Sequence, residues 1–131
     1  MTDYTQILVD KADGIATITL NRPEKMNAYT RIMGEEIMAA MDEIDGDDNV
    51  RAVIFTGSGD RAFCAGADLT PEGGGHVFSD PSEVEDLSDP KVRDGGGLLT
   101  LRLFESKKPL ISACNGVAVG VGATMQLAMD I

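Results

Sequence analysis

Twice along this chain a short apolar run leads directly into a turn of small residues, and that recurring layout restricts the fold more than anything else in the sequence. The first run is RAVIFT at 51–56, closed by Gly57, Ser58 and Gly59 and followed by AFCAGADL at 62–69. The second is LISAC at 110–114, which turns at Asn115 and Gly116 into a glycine-rich stretch and then a helical pattern over 123–129. Apolar runs this short read as strands buried on both faces, in a sheet covered by helices. The chain is therefore read as α/β, with 53–55 and 110–113 as neighbouring strands of one sheet.

The remaining elements follow from periodicity and punctuation. Ile7 and Val9, then Ala16, Ile18 and Leu20, alternate with other residues on either side of Ala12-Asp13-Gly14, which predicts a hairpin. Pro23 lacks an amide donor and ends that pattern, leaving NRPEKMNAY as a loop. From Thr30 onward Met33, Ile37, Ala40, Met41 and Ile44 share one helical face, and Gly46 is placed to stop the helix. Residues 70–97 change character, with two triple-glycine runs, Pro71, Pro81, Pro90 and many carboxylates, and are read as a loop that is the least ordered part of the chain. Leu98, Leu101 and Phe104 then give a helix ending near Lys107, Lys108 and Pro109.

Charge narrows the function classes. With 22 acidic against 11 basic residues, the net charge of -11 repels polyanions and argues against a nucleic-acid groove. Cys64 and Cys114 form no CxxC pair and His76 is the one histidine, so neither a zinc site nor a disulfide framework is expected. Both cysteines read as small core residues and His76 as a surface residue. The N-terminus MTDYTQILVD carries no signal pattern and no apolar stretch is long enough to span a bilayer, which makes a cytoplasmic protein without membrane contact the expectation.

The chemistry resides in the two turns. A strand running through small residues into a helix leaves backbone N–H groups without acceptors, and such groups bind anions or a developing oxyanion. Small residues let a ligand reach the main chain itself. Either turn alone reads as tight packing. Together, preceded by NRPEKMNA at 21–28, they form a combination that resembles the crotonase superfamily, the enoyl-CoA hydratase/isomerase family. The likeness runs from NRPxKxNA through FxAGADL to NGxAxGxG, in the family's order, and covers essentially the whole chain.

That resemblance implies a crotonase-like fold of repeated ββα units, of which this chain is the N-terminal portion of one domain. It implies an acyl-CoA thioester substrate whose carbonyl oxygen accepts hydrogen bonds from the backbone N–H groups of Ala67 and Val121. No separate cofactor is implied, since coenzyme A is part of the substrate. Ala65, Asp68 and Leu69 match positions lining the pantetheine and acyl entrance, and Arg22 and Lys25 lie in the nucleotide-contacting loop. By composition alone, Asp68 reads as a helix N-cap and Arg22 and Lys25 as a solvated loop. Thr124 occupies the position of a catalytic glutamate in the family's hydratases, and a hydroxyl is no base near neutral pH without an activating partner. This departure favours shifting a double bond over adding water. The family's second carboxylate, and the helices that form its trimers or hexamers, would follow Ile131.

Other readings are weaker. Residues 57–62 formally fit GxGxxA after a strand, yet neither an amphipathic helix nor a later strand with an acidic end follows. No GxSxG occurs, and Ser58 and Ser112 have only the distant His76 as a base. A truncated or diverged domain that binds acyl-CoA or a partner subunit without turnover is the non-enzymatic alternative.

Overall fold

The computed structural model describes residues 3–70, 86, 88–89 and 93–131. Its elements run in chain order as β1 (Ile7–Ala12), β2 (Ile15–Leu20), a 3-10 turn (Pro23–Lys25), α1 (Arg31–Asp45), β3 (Ala52–Gly57), β4 (Ala62–Cys64), α2 (Gly95–Phe104), β5 (Leu110–Ser112), β6 (Val117–Ala118) and α3 (Val121–Leu127). Two strands and a helix therefore recur three times, as the repeated ββα expectation requires. One sheet has the order β1-β2-β3-β5, and a second pairs β4 with β6. In the first, β1 and β2 are antiparallel, while β2–β3 and β3–β5 are parallel with Val53 opposite Leu110.

The core is built where α1 meets the large sheet. Met33, Ile37, Ala40, Met41 and Ile44 are fully buried in one cluster with Ile18, Leu20, Val53, Phe55, Leu99 and Leu103. Spacing of three and four residues puts the α1 set on one stripe. The Thr30 hydroxyl oxygen accepts from Met33 N at 3.0 Å and so caps the first turn. Gly46 follows the last turn at φ -85, so the helix ends there without the left-handed conformation that glycine usually supplies.

Several expectations need correction. The strands β3 and β5 are not buried on both faces: Val53, Phe55 and Leu110 are buried, but Ile54, Thr56, Ile111 and Ser112 are half-buried. Cys114 is exposed, because β5 ends at Ser112 and the chain is already bending toward Asn115; Cys64 is buried as expected. The segments 62–64 and 117–118, read as parts of turns, are short strands. Helix α3 starts at Val121, two residues earlier than its apolar pattern indicated.

Gly95, Gly96 and Gly97, assigned to the loop over 70–97, form the first turn of α2. Asp94 makes that possible, since its carboxylate accepts from Gly97 N at 2.6 Å and offsets the weak helix propensity of glycine. The rest of the expected loop, His76 included, lies mostly outside the described residues. The apolar stripe of α2 was also misassigned. Leu99 and Leu103 are buried, whereas Leu98, Leu101 and Phe104 are exposed, Phe104 at 78%. The run LLTLRLF fits either stripe; ion pairs from Arg102 to Asp42 at 2.9 Å and Asp45 at 2.7 Å fix the rotation of α2 against α1. Among the described residues no helix is long and apolar enough to cross a membrane.

The rotation of α2 gives a direct stability prediction. Leu103→Ala should cost about 2–5 kcal/mol, as buried large-to-small changes do, while Phe104→Ala should stay within about 0.5 kcal/mol. Urea unfolding midpoints of the two variants check this, and the reverse order contradicts the rotation.

Candidate functional site

The small sheet brings the two glycine turns together. β4 and β6 run parallel, with Ala62 opposite Val117 and Cys64 opposite Ala118. Val119 N then donates to Cys64 O at 3.0 Å. Both chains therefore leave the sheet at the same end. Gly66 has φ +101, a conformation L side chains rarely adopt, and a Cβ there would lie 3.2 Å from Val119 O. At Gly122 any Cβ would overlap Cys64 O and come within 2.8 Å of Cys64 Cβ. Glycine is required at Gly122 because backbone meets backbone.

These turns leave two donors unused. Tyr29 forms a parallel bridge with Ala67, its N–H donating to Gly66 O at 2.7 Å and its carbonyl accepting from Asp68 N at 2.8 Å. In an extended segment successive amides face opposite sides, so bonds to Gly66 and Asp68 turn the Ala67 N–H away from Tyr29. Val121 opens α3, where Gly122, Ala123 and Thr124 donate to Val119 O, Gly120 O and Gly120 O. The Val121 N–H has no such acceptor. Among the described residues neither N–H has a hydrogen-bond partner. Both residues line a cavity of about 760 Å³ shared with Asp94, Gly96, Leu101 and Thr124.

A polar scaffold behind the cavity holds the turns in place. Asn27, fully buried, donates from Nδ2 to Ser58 O at 3.0 Å and Ala62 O at 2.9 Å, and its Oδ1 accepts from Arg22 N. Asn115 donates to Gly59 O at 3.1 Å and to the same Ala62 O at 3.3 Å, while its Oδ1 accepts from Gly57 N. The asparagines of the two sequence motifs thus converge on one carbonyl at the start of β4. Neither had been given a role from the sequence, although both stand in the quoted motifs.

Arg22 and Asp68 belong to this scaffold as well. The Arg22 guanidinium donates to Ala28 O at 2.7 Å and pairs with Asp68 Oδ2 at 3.1 Å. Asp68 Oδ1 accepts from Thr70 Oγ1 and Thr70 N, closing a turn onto its own chain; any helix it would cap lies outside the described residues. The Thr70 hydroxyl and N–H, together with Arg22, hold the Asp68 carboxyl below the usual carboxylate range. Lys25 is exposed, Ala65 is half-buried with its N–H bonded to Met26 O, and Leu69 is exposed. Of the residues picked from sequence, the structure gathers Ala67, Val121 and Thr124 at the cavity and sets Arg22 and Asp68 behind it.

Sequence reasoning missed Tyr29 and Asp94. The Tyr29 hydroxyl donates to Gly95 O at 3.0 Å, which ties the start of α2 to the residue that brackets Ala67. Burial pushes its phenol pKa up, and likewise that of the Cys64 thiol, so neither ionises readily. Asp94 was hidden among the carboxylates of the preceding stretch; an acidic residue directly before a helix start was the available signal. Among the described residues no group of three or more His, Cys, Asp or Glu is placed to hold a metal ion.

The sequence model of the family described as Enoyl-CoA hydratase/isomerase matches residues 10–131. Enoyl-CoA hydratase ACTT3 of Alternaria alternata is 43% identical over 120 residues, which are 92% of this chain and 37% of that protein. The 1,2-epoxyphenylacetyl-CoA isomerase of Escherichia coli is 38% identical over 128 residues, 95% of this chain and 45% of its own. A solved enoyl-CoA hydratase/isomerase from Xanthobacter autotrophicus Py2 superposes with a TM-score of 0.83 at 34% identity, covering 98% of this chain and 45% of that one. The chain thus spans less than half the length of the proteins it matches here.

Two consequences of the geometry are measurable. Gly122→Ala should destabilise the protein by about 1–3 kcal/mol through overpacking and weaken ligand binding at the cavity, read by thermal melting and calorimetry. A silent substitution would show that the turns are not in main-chain contact. The lowered pKa of Asp68 stabilises the fold above its unfolded value of about pH 4, and that contribution disappears as pH falls through the folded pKa. The stability difference between wild type and Asp68→Asn should therefore be largest near neutral pH and close under acid, in urea titrations across pH.

Proposed function

This chain belongs to the enoyl-CoA hydratase/isomerase family, and on that premise we propose that it supplies the thioester-binding part of an enzyme acting on acyl-CoA substrates. The unpaired N–H groups of Ala67 and Val121, opening on one cavity, carry this reading. Removing a proton beside a thioester carbonyl, or adding water across a conjugated double bond, puts enolate charge on the carbonyl oxygen. Two fixed donors stabilise that charge without reorganising, and each typically contributes ~10²–10³ in rate. Because both donors are backbone, the valine side chain at Val121 is compatible with the role.

Thr124 lines the same cavity, and its hydroxyl is no general base by itself. That supports moving a double bond with one carboxylate over hydration with two. Lys25 is the exposed cation for the phosphates of coenzyme A, whereas Arg22 holds the loop through its bonds to Ala28 O and Asp68. Coenzyme A arrives on the substrate, so no separate cofactor enters. Assembly into trimers or hexamers and a cytoplasmic location belong to the same reading.

Replacing a donor tests the reading. In the protein, a bound 2-enoyl-CoA should show its thioester carbonyl stretch shifted to lower frequency by infrared difference spectroscopy. Ala67→Pro should return the band toward its free position and lower turnover by roughly 10²–10³, with thermal melting confirming the fold; Val121→Gly should change little. A folded Ala67→Pro variant with full turnover and an unmoved band contradicts the oxyanion role. A shifted band with no turnover in the wild type would favour the binding-only alternative.

A further inference from the structure

We propose that Asp94 is the carboxylate that moves the proton in this cavity, an inference that rests on the oxyanion reading of Ala67 and Val121. Asp94 lines the cavity with both of those residues, and among its described lining residues no other carboxylate appears. A methyl placed on Gly96 would lie 3.1 Å from Val121 Cγ2 and 3.5 Å from Asp94 Oδ1. Asp94 Oδ1, the oxygen that also caps α2, and the Val121 side chain therefore approach the same side of Gly96. A thioester oxygen on the Val121 N–H would hold its neighbouring carbons in the cavity that Asp94 also lines.

The position is also rigid. One oxygen of Asp94 caps α2 by accepting from Gly97 N at 2.6 Å, while among the described residues the other makes no hydrogen bond. Next to it, Gly95 O is held by the Tyr29 hydroxyl at 3.0 Å. Tyr29 brackets Ala67 through its own backbone. A single residue thus sets the spacing between an oxyanion donor and the carboxylate.

The step balances without a co-reactant. The Asp94 carboxylate removes a proton from C2 of a 3-enoyl thioester, and the C–H electron pair enters a dienolate whose oxygen rests on the two N–H groups. Returning the proton to C4 moves the double bond to C2–C3, restores the thioester carbonyl and regenerates the carboxylate. Thr124 stands where the hydratase glutamate would stand, and Asp94 supplies a carboxylate to the same cavity.

Asp94→Asn separates chemistry from architecture, because asparagine caps a helix as well as aspartate but accepts no proton under these conditions. The protein is given 3-hexenoyl-CoA in deuterium oxide, and double-bond shift and deuterium uptake are followed by NMR. The carbonyl stretch of bound, unreactive hexanoyl-CoA is recorded in parallel. Asp94→Asn should slow both the shift and the uptake by about 10²–10⁴ while leaving the carbonyl band and melting temperature at wild-type values. Exchange at the wild-type rate overturns the proposal while leaving the oxyanion reading intact. Loss of the carbonyl shift together with exchange also overturns it, since Asp94 would then act through the helix it caps. If wild type shows no carbonyl shift, the oxyanion reading fails and this inference falls with it.

Discussion

The separation of two backbone segments governs this chain: the carbonyl of Cys64 and the first turn of α3 stand closer than any side chain at Gly122 would permit. From that contact follow the parallel pairing of β4 with β6, the common direction in which both turns leave the sheet, and the shared cavity at their ends. Strands of three and two residues are too short to hold such a contact alone. Asn27 and Asn115 supply the rest by donating to the one carbonyl of Ala62. Each also satisfies its own amide oxygen with a backbone N–H, so the buried network is paired throughout.

The division of labour between the two sheets leaves the site to be built from main chain. Apolar burial is concentrated between α1, α2 and the four-stranded sheet, where Ile37, Met41, Phe55 and Leu103 interlock. The small sheet carries little of that core and presents main chain to the cavity. Its donors are peptide groups, whose positions depend on backbone course and not on the identity of the side chain. Tyr29 joins the two regions, with its ring in the core, its backbone on the Ala67 turn and its hydroxyl on the start of α2.

Much of this was legible in the sequence. Alternation in 7–20, the stripe in 31–45 and the paired apolar runs gave β1, β2, α1 and the adjacency of β3 and β5, because periodicity reports which face is buried. Ala67 and Val121 were reachable only through the family resemblance that the two motifs carry, and the structure sets both at one cavity. Three features escaped for physical reasons. The stripe of α2 was ambiguous because LLTLRLF offers two apolar faces and distant ion pairs to Asp42 and Asp45 choose between them. The triple glycine before it reads as loop by propensity and is helical through a cap and a bond from Tyr29, which is 66 residues away in sequence. The Arg22–Asp68 pair, whose members are 46 positions apart in sequence, turns an expected ligand contact into a brace that local composition cannot reveal.

A crystal structure of the protein with a bound acyl-CoA tests the central claim most directly. The thioester oxygen should lie about 2.7–3.1 Å from both Ala67 N and Val121 N, the range in which a developing oxyanion is stabilised. An oxygen held by side chains elsewhere, or either N–H engaged by the protein itself while the thioester is bound, would contradict it.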